Sequence, residues 1–148
     1  MKTLFNKSIA SAAGLDTLPV RIAVGAIFAA HGAQKLFGWF GGYGLEGTAG
    51  WMASIGLEPG LLLATLAGSA EFFGGLFLII GLLVRPSAIV LAITMVVAIV
   101  TVHFENGLFM SNNGYEFALA LLVISIGLIV RGAGSLSVDR ALQLKLSS

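Results

Sequence analysis

The chain contains no cysteine, and only 10% of its 148 residues are charged. Without cysteine, a thiol–disulfide relay, a zinc–thiolate centre and a cysteine-ligated iron–sulfur cluster are excluded on this chain. The net charge is +1, so the sequence lacks the basic surface with which proteins bind nucleic acid. Any chemistry must therefore come from a small number of polar side chains.

The residues that are present are mostly apolar: 57% are hydrophobic, and the mean hydropathy is +1.00. A domain of this length cannot hide so much apolar surface from water, so lipid must be the solvent for much of it. Four segments are long enough to cross a bilayer, at about residues 18–39, 60–84, 86–102 and 115–130. The sequence predicts a single all-α membrane domain over residues 1–148, a four-helix transmembrane bundle with a polar tail at 135–148.

The distribution of basic residues predicts which way the bundle faces. With the N-terminus inside, the cytoplasmic side holds Lys2, Lys7, Arg21, Arg85, Arg131, Arg140 and Lys145. The outer half then holds only Lys35. Positive charge concentrates on the cytoplasmic side of membrane proteins, so both termini are predicted to be cytoplasmic.

Two shorter helices and one anchor are also predicted. In the glycine-rich first outer connection, residues 48–57 can form a helix at the membrane interface, with Trp39 and Trp51 as anchors. In the tail, Ser137 can cap a surface helix that continues to Leu146. Arg21 is expected to reach out to the cytoplasmic interface, as long basic side chains near helix ends do.

The second and fourth spans share a short pattern that indicates an internal repeat. Glu71-Phe72 precedes Gly81-Leu-Leu-Val-Arg85, and Glu116-Phe117 precedes Gly127-Leu-Ile-Val-Arg131. Both units enter from the cytoplasmic side, which predicts two parallel helix pairs around an axis along the membrane normal. The alternative is chance similarity between apolar helices that end in glycine and arginine.

The spacing of charges along the spans predicts that three of them share one depth. Fourteen residues separate Arg21 from Lys35 and Glu71 from Arg85, and fifteen separate Glu116 from Arg131. A helix rises about 1.5 Å per residue, so each charge should lie roughly 21 Å from a cytoplasmic arginine. Ionisable residues at membrane depth are costly and are usually functional.

These polar residues are predicted to form one site in the outer half of the bundle. Small residues that share a helix face with Glu71 (Gly68, Gly75) and with Glu116 (Ala120, Gly127) should turn both carboxylates inward. The candidates for ligand binding or proton exchange are His31, Gln34, Lys35, Glu71, His103 and Glu116. The alternative is a buried ion pair of Lys35 with Glu71 or Glu116 that only fixes the helix register.

No catalytic residue can be assigned from the sequence, and no resident metal is expected. The Glu-x-x-His spacing of di-iron bundles does not occur. Hydrolase triads, phosphate loops and EF-hand loops have no candidate either.

Several short motifs resemble the DoxX family of small bacterial membrane proteins (DoxX/DoxD-like). The resemblance covers about residues 18–139 and rests on Arg21-Ile22 with Gly25, His31-Gly-x-Gln-Lys35-Leu-Phe-Gly38, Glu71-Phe-Phe-Gly-Gly75 with Gly81, His103 before Tyr115-Glu116, and Gly132-Ala-Gly-Ser-Leu-Ser-Val-Asp139.

This resemblance implies a four-helix protein of the bacterial inner membrane. The family takes its name from a subunit of a membrane thiosulfate:quinone oxidoreductase, and some relatives belong to redox-linked complexes. The resemblance therefore implies a redox-associated subunit. Such a subunit would hold a quinone or similar amphiphile in the outer-half pocket, and a partner protein would supply the electrons. The chain would be at most a subunit of a quinone-linked oxidoreductase, and a homo-oligomer is compatible with the sequence.

Two other classes of function fit the same residues. Parallel repeats and charges inside the bundle also suit a small-molecule or proton-coupled transporter or a channel. A non-catalytic scaffold for a redox complex would keep the charges for packing alone.

Overall fold

A computed structural model of the chain describes residues 14–147, and all regular structure in that range is helical, with no β-strand. Lys2 and Lys7, which contribute to the predicted orientation, lie outside the described residues. The prediction of an all-α protein is confirmed for the part of the chain that the structure describes.

The first two helices of the described chain are one long helix and one short helix. Helix α1 is Leu18–Phe37, with Pro19 in its first turn, where the missing N–H costs no hydrogen bond. It ends at Gly38, whose φ of 72° is the left-handed conformation that glycine adopts without strain. Helix α2 is Gly44–Ser54, so it begins and ends earlier than the predicted range 48–57.

The second predicted span ends earlier than expected. The third begins earlier, and its helical structure continues further through two short turns. Helix α3 is Gly60–Ile80 and ends at Gly81, which has a φ of 73°. Helix α4 is Val84–Ala98 and starts before Pro86, since proline is tolerated in a first turn. The chain continues from α4 through a π-helical turn at Ile99–His103 and a 3-10 turn at Phe104–Asn106.

The last two helices agree closely with the predicted positions. Helix α5 is Glu116–Arg131, and helix α6 is Val138–Ser147 in the polar tail. Between α4 and α5, the loop is closed by backbone hydrogen bonds from Tyr115 N to Gly107 O (3.0 Å) and from Glu116 N to Leu108 O (2.9 Å).

The long helices pack in two pairs, α1 along α3 and α4 along α5, and α3 also contacts α2 and α4. Glycines allow α1 and α3 to approach backbone to backbone: a Cβ at Gly32 would overlap the backbone nitrogen of Phe72, and one at Gly75 would press on Ala29. Phe28 and Leu78 from this pair meet Leu91 and Leu121 from the other pair in one hydrophobic core.

The outer surface of the helices is apolar. Among the described residues, two helices are long and apolar enough to cross a membrane, Gly60–Ile80 and Val84–Asn106. Leu61, Leu66 and Ile93 lie on their surfaces and are more than half exposed in the isolated chain. Such faces require lipid or another apolar partner, which agrees with a membrane protein.

Candidate functional site

A cavity of about 550 Å³ lies where the two helix pairs meet near α2 and the α4–α5 loop. All four long helices contribute to its wall, and side chains from α2 and both connecting loops complete it. Four of the six predicted site residues line it: His31, Lys35, Glu71 and His103. Most of the remaining lining is apolar or aromatic, as in pockets that bind small organic molecules.

The strongest polar contact in this cavity is an ion pair between α1 and α3. Lys35 Nζ lies 2.5 Å from Glu71 Oε2, and the two side chains are 25% and 5% exposed. Glu71 is buried because its helix face is packed closely on α1: a Cβ at the neighbouring Gly68 would collide with the side chain of Leu36. The prediction that Glu71 points into the bundle is confirmed.

The Lys35 ammonium has hydrogen-bonding capacity to spare. Its Nζ makes one hydrogen bond within the described chain, to Glu71, although an ammonium carries three N–H donors. Because Lys35 also lines the cavity, an acceptor oxygen placed there can receive a second, charge-assisted hydrogen bond.

The two histidines belong to the same cavity but to different helices. His31 lies one turn before Lys35 on α1, and its ring centroid is 6.1 Å from that of Phe117 on α5. His103 ends the π-helical turn that follows α4, and its Nδ1 lies 2.8 Å from the carbonyl oxygen of Asn113.

Two predicted site residues do not line the cavity. Gln34 donates through Nε2 to the carbonyl oxygen of Phe40 at 3.3 Å, within the connection after α1. Glu116 is the first residue of α5, and its Oε1 accepts a 2.6 Å hydrogen bond from Met110 N–H. A carboxylate in a first helical turn readily accepts from nearby backbone N–H groups, so Glu116 closes its own loop.

The prediction that Glu71 and Glu116 lie at the same depth in two equivalent helices is wrong, because the two residues occupy different positions in their helices. Glu71 is in the middle of α3, whereas Glu116 begins α5. The spacing from Glu71 to Arg85 does not measure depth, because α3 ends at Ile80 and Arg85 already belongs to α4. Ala120 and Gly127, expected to face inward with Glu116, are exposed.

Sequence reasoning also missed part of the cavity wall. Tyr43, Trp51 and Phe117 bring aromatic surface to the cavity, and Thr94 and Thr101 line it from the α4 side. The two threonines are seven residues apart and so share a helix face, a signal that the sequence does contain. The aromatic residues come from separate segments, and no local pattern joins them.

The end of the molecule away from this cavity holds a second buried charge, Arg21. Its side chain is fully buried and donates through Nη1 to Leu78 O (2.9 Å) and through Nη2 to Leu136 O (2.6 Å). The expectation that Arg21 reaches out to the interface is wrong. The segment after α5 folds over it, and its guanidinium links that segment to the end of α3.

Asp139 completes this second cluster. Its carboxylate is buried and accepts hydrogen bonds from the N–H groups of Leu83 (2.7 Å) and Val84 (2.9 Å). These backbone N–H groups at the start of α4 have no acceptor within the helix, so Asp139 supplies one. Its own N–H donates to Gly81 O at 2.9 Å. Both carboxylate oxygens of Asp139 are therefore used for structure.

Comparison with known proteins places this architecture in a family. The model of the DoxX family matches residues 17–104. A Bacillus subtilis (strain 168) protein named "Putative oxidoreductase CatD" is 34% identical over 125 residues, which cover 84% of this chain and 85% of the relative. An uncharacterized protein of Haemophilus influenzae is 32% identical over 127 residues, or 81% of this chain and 85% of its own length. No solved structure matches significantly. The chain belongs to the DoxX family.

Proposed function

We propose that this protein is a redox-associated subunit of the bacterial inner membrane that binds a quinone or similar amphiphile in the cavity beside Lys35. His31, Glu71 and His103 complete the polar part of the site. Lys35 donates a hydrogen bond to a carbonyl oxygen of the ligand, and a histidine or Glu71 exchanges the proton that accompanies electron transfer. A partner protein supplies the electrons.

The proposed topology has four spans, with both termini cytoplasmic. The positions of the basic residues support it. Arg85 donates to Val130 O at 3.0 Å, and Arg131 pairs with Asp16 before α1, so these charges lie at one end of the helices. Lys35 is near the other end of α1. On this topology α2 lies at the outer interface, where exposed Trp39 and Trp51 are suited to the headgroup region.

The two helix pairs support a parallel repeat of α1–α3 and α4–α5. The repeat concerns the helices alone, because Glu71 and Glu116 occupy different places in them. Four helices make a thin bundle, and exposed apolar faces on α3 and α4 leave room for a second copy or a redox partner in the membrane.

The observation that carries the proposal is an ammonium with spare donors beside a mostly apolar cavity. A charge kept only for packing would have most of its hydrogen-bonding groups paired and the space around it filled. The cavity volume of about 550 Å³ is within the range that binds small organic ligands. An aromatic head group with a carbonyl oxygen matches both the donor and the aromatic wall. The relative named as an oxidoreductase agrees with a redox setting.

The test is to purify the full chain from a bacterial membrane and extract its lipids. We expect a quinone to be retained in the native protein and lost in Lys35→Met, and a short-chain quinone to raise the melting temperature of the native protein only. A matched control is Lys145→Met on α6, which removes a lysine away from the cavity.

Each outcome separates the proposal from its rivals. If no quinone is retained and none shifts the melting temperature, the proposal is wrong. Solute flux in proteoliposomes that depends on Glu71, without quinone binding, would identify a transporter. A scaffold would show neither property and would tolerate Lys35→Met combined with Glu71→Gln.

A further inference from the structure

A backbone carbonyl group determines the tautomer of His103. Its Nδ1 lies 2.8 Å from Asn113 O, and a carbonyl oxygen can only accept a hydrogen bond. Nδ1 must therefore carry the hydrogen in the neutral ring, which leaves Nε2 as a lone-pair acceptor. Nε2 makes no hydrogen bond within the part of the chain that the structure describes.

The loop that supplies this carbonyl is held firmly. Asn113 adopts the left-handed conformation, with a φ of 59°, and its oxygen also faces Asn106 Nδ2 at 3.4 Å. Glu116 ties the same loop from the other side through its hydrogen bond to Met110 N–H. Glu116 is thus a positioning residue: it keeps the loop closed, and the loop keeps His103 in one tautomer.

The cavity is consequently lined by two polar side chains of opposite hydrogen-bonding character. Lys35 on α1 offers hydrogen-bond donors, and His103 beyond α4 offers an acceptor. The aromatic side chains of Trp51 and Phe117 line the same space. A ligand that satisfies both side chains carries one acceptor oxygen and one O–H group on an aromatic head.

We infer that the ligand of this cavity donates a hydroxyl hydrogen to Nε2 of His103, so that the site prefers a phenol or quinol head group to a fully oxidised quinone. This inference rests on the proposed function and refines it by naming the form that binds best. A quinone has no O–H group and leaves Nε2 without a partner, whereas a quinol can bond to both Lys35 and His103.

The experiment measures binding of three matched probes to the full chain in detergent at mildly alkaline pH: a short-chain benzoquinone, its quinol, and the quinol dimethyl ether. The quinol is kept reduced with dithionite, which is harmless to a chain without cysteine. We expect the quinol to bind about five- to tenfold more tightly than either the quinone or the ether, the ratio that one buried hydrogen bond gives. His103→Phe should bind quinol and ether equally.

A second measurement tests the positioning role of Glu116. The chain has two histidines, so ¹⁵N spectra of histidine-labelled protein can be assigned with a His31→Gln variant. We expect the His103 signal of the Nδ1–H tautomer in the native protein and in Glu116→Gln, which keeps an acceptor oxygen. Glu116→Ala should show mixed tautomers and a reduced quinol preference.

The results distinguish this inference from the proposal beneath it. If the quinone binds but the quinol has no advantage over its ether, or if His103→Phe keeps that advantage, the inference alone is overturned. The Nε2–H tautomer in the native protein would also overturn it. If no probe binds in any form, the inference and the proposed function both fail.

Discussion

The two buried charge clusters of this protein differ in how completely their groups are used. At one end, Arg21 and Asp139 bond to backbone groups of three segments, and only Arg21 Nε among their buried polar atoms is left without a partner. At the other end, Lys35 and Glu71 bond to each other beside a cavity of about 550 Å³. The first arrangement holds chain segments together, and the second leaves N–H donors of Lys35 unused beside the cavity.

Burial alone therefore does not distinguish a charge whose donors are used for structure from one that has donors to spare. Arg21 is more deeply buried than Lys35, yet its guanidinium serves the structure by satisfying carbonyl groups at the end of α3. What distinguishes Lys35 is unused hydrogen-bonding capacity next to empty space. The comparison predicts that changes at the Arg21 end alter stability alone, and that changes at the Lys35 end also alter ligand binding.

The largest expected effect is at Arg21. Arg21→Met removes a buried donor from the carbonyl groups of Leu78 and Leu136. We expect a loss of roughly 2–4 kcal/mol in the free energy of unfolding, because a buried polar group left unsatisfied costs about 1–3 kcal/mol. Arg131→Met, at an exposed arginine on α5, is the matched control and should have little effect. Denaturation in detergent measures both. A stable Arg21→Met variant would break the distinction between the two clusters.

The next effect is at the ion pair itself. Lys35→Met leaves Glu71 buried without a partner, and we expect a loss of about 2 kcal/mol in the free energy of unfolding. The double variant Lys35→Met with Glu71→Gln should regain most of that stability, because no buried charge is then unpaired. It should still fail to bind quinone. A double variant that binds quinone as the native protein does would show that the pair is structural.

An effect of similar size is expected where α1 touches α3. Gly32→Ala places a Cβ against the backbone of Phe72, so the helices must separate at a cost of about 1–3 kcal/mol. Gly127→Ala on α5 is the matched control: a Cβ there meets no atom within 4 Å, and alanine favours a helix by roughly 0.5–1 kcal/mol over glycine. If both variants have the same melting temperature, α1 and α3 are not packed closely enough at Gly32 to exclude a methyl group.

The smallest effect is at the surface pair of Asp16 and Arg131. The hydrogen bond from Arg131 lowers the pKa of the Asp16 carboxyl. The pair therefore adds stability above the ordinary pKa of an aspartate, and that contribution is lost as the pH falls through the folded-state pKa. Both side chains are about half exposed, so Asp16→Asn should leave the melting temperature at neutral pH nearly unchanged. A large drop at neutral pH would contradict this.

The sequence predicted the helices well, because each depends on local signals. Apolar length identified α3, although its end was predicted at residue 84 and the helix ends at Ile80. The sequence also predicted that His31, Lys35 and Glu71 lie in one site, because helical spacing and small residues decide which helix faces meet. The start of α5 was found almost to the residue.

The errors concern residues whose partners are distant in sequence or whose helix ends early. Arg21 was expected at the interface, but the segment around Leu136 covers it, a contact across 115 positions. Glu116 was expected in the cavity, but the loop before it offers a nearby backbone N–H. Trp51 and Phe117 meet at the cavity only through tertiary packing, which periodicity does not encode.

The most direct test of the proposed site uses its own tryptophan. The chain has two, and Trp51 lines the cavity, so a Trp39→Phe variant carries a single reporter. We expect a short-chain quinone to quench the Trp51 fluorescence of this variant and the quenching to saturate. When Lys35→Met is combined with Trp39→Phe, the half-saturating quinone concentration should rise tenfold or more. Quenching that never saturates, or that is the same with and without Lys35, would contradict ligand binding at this cavity.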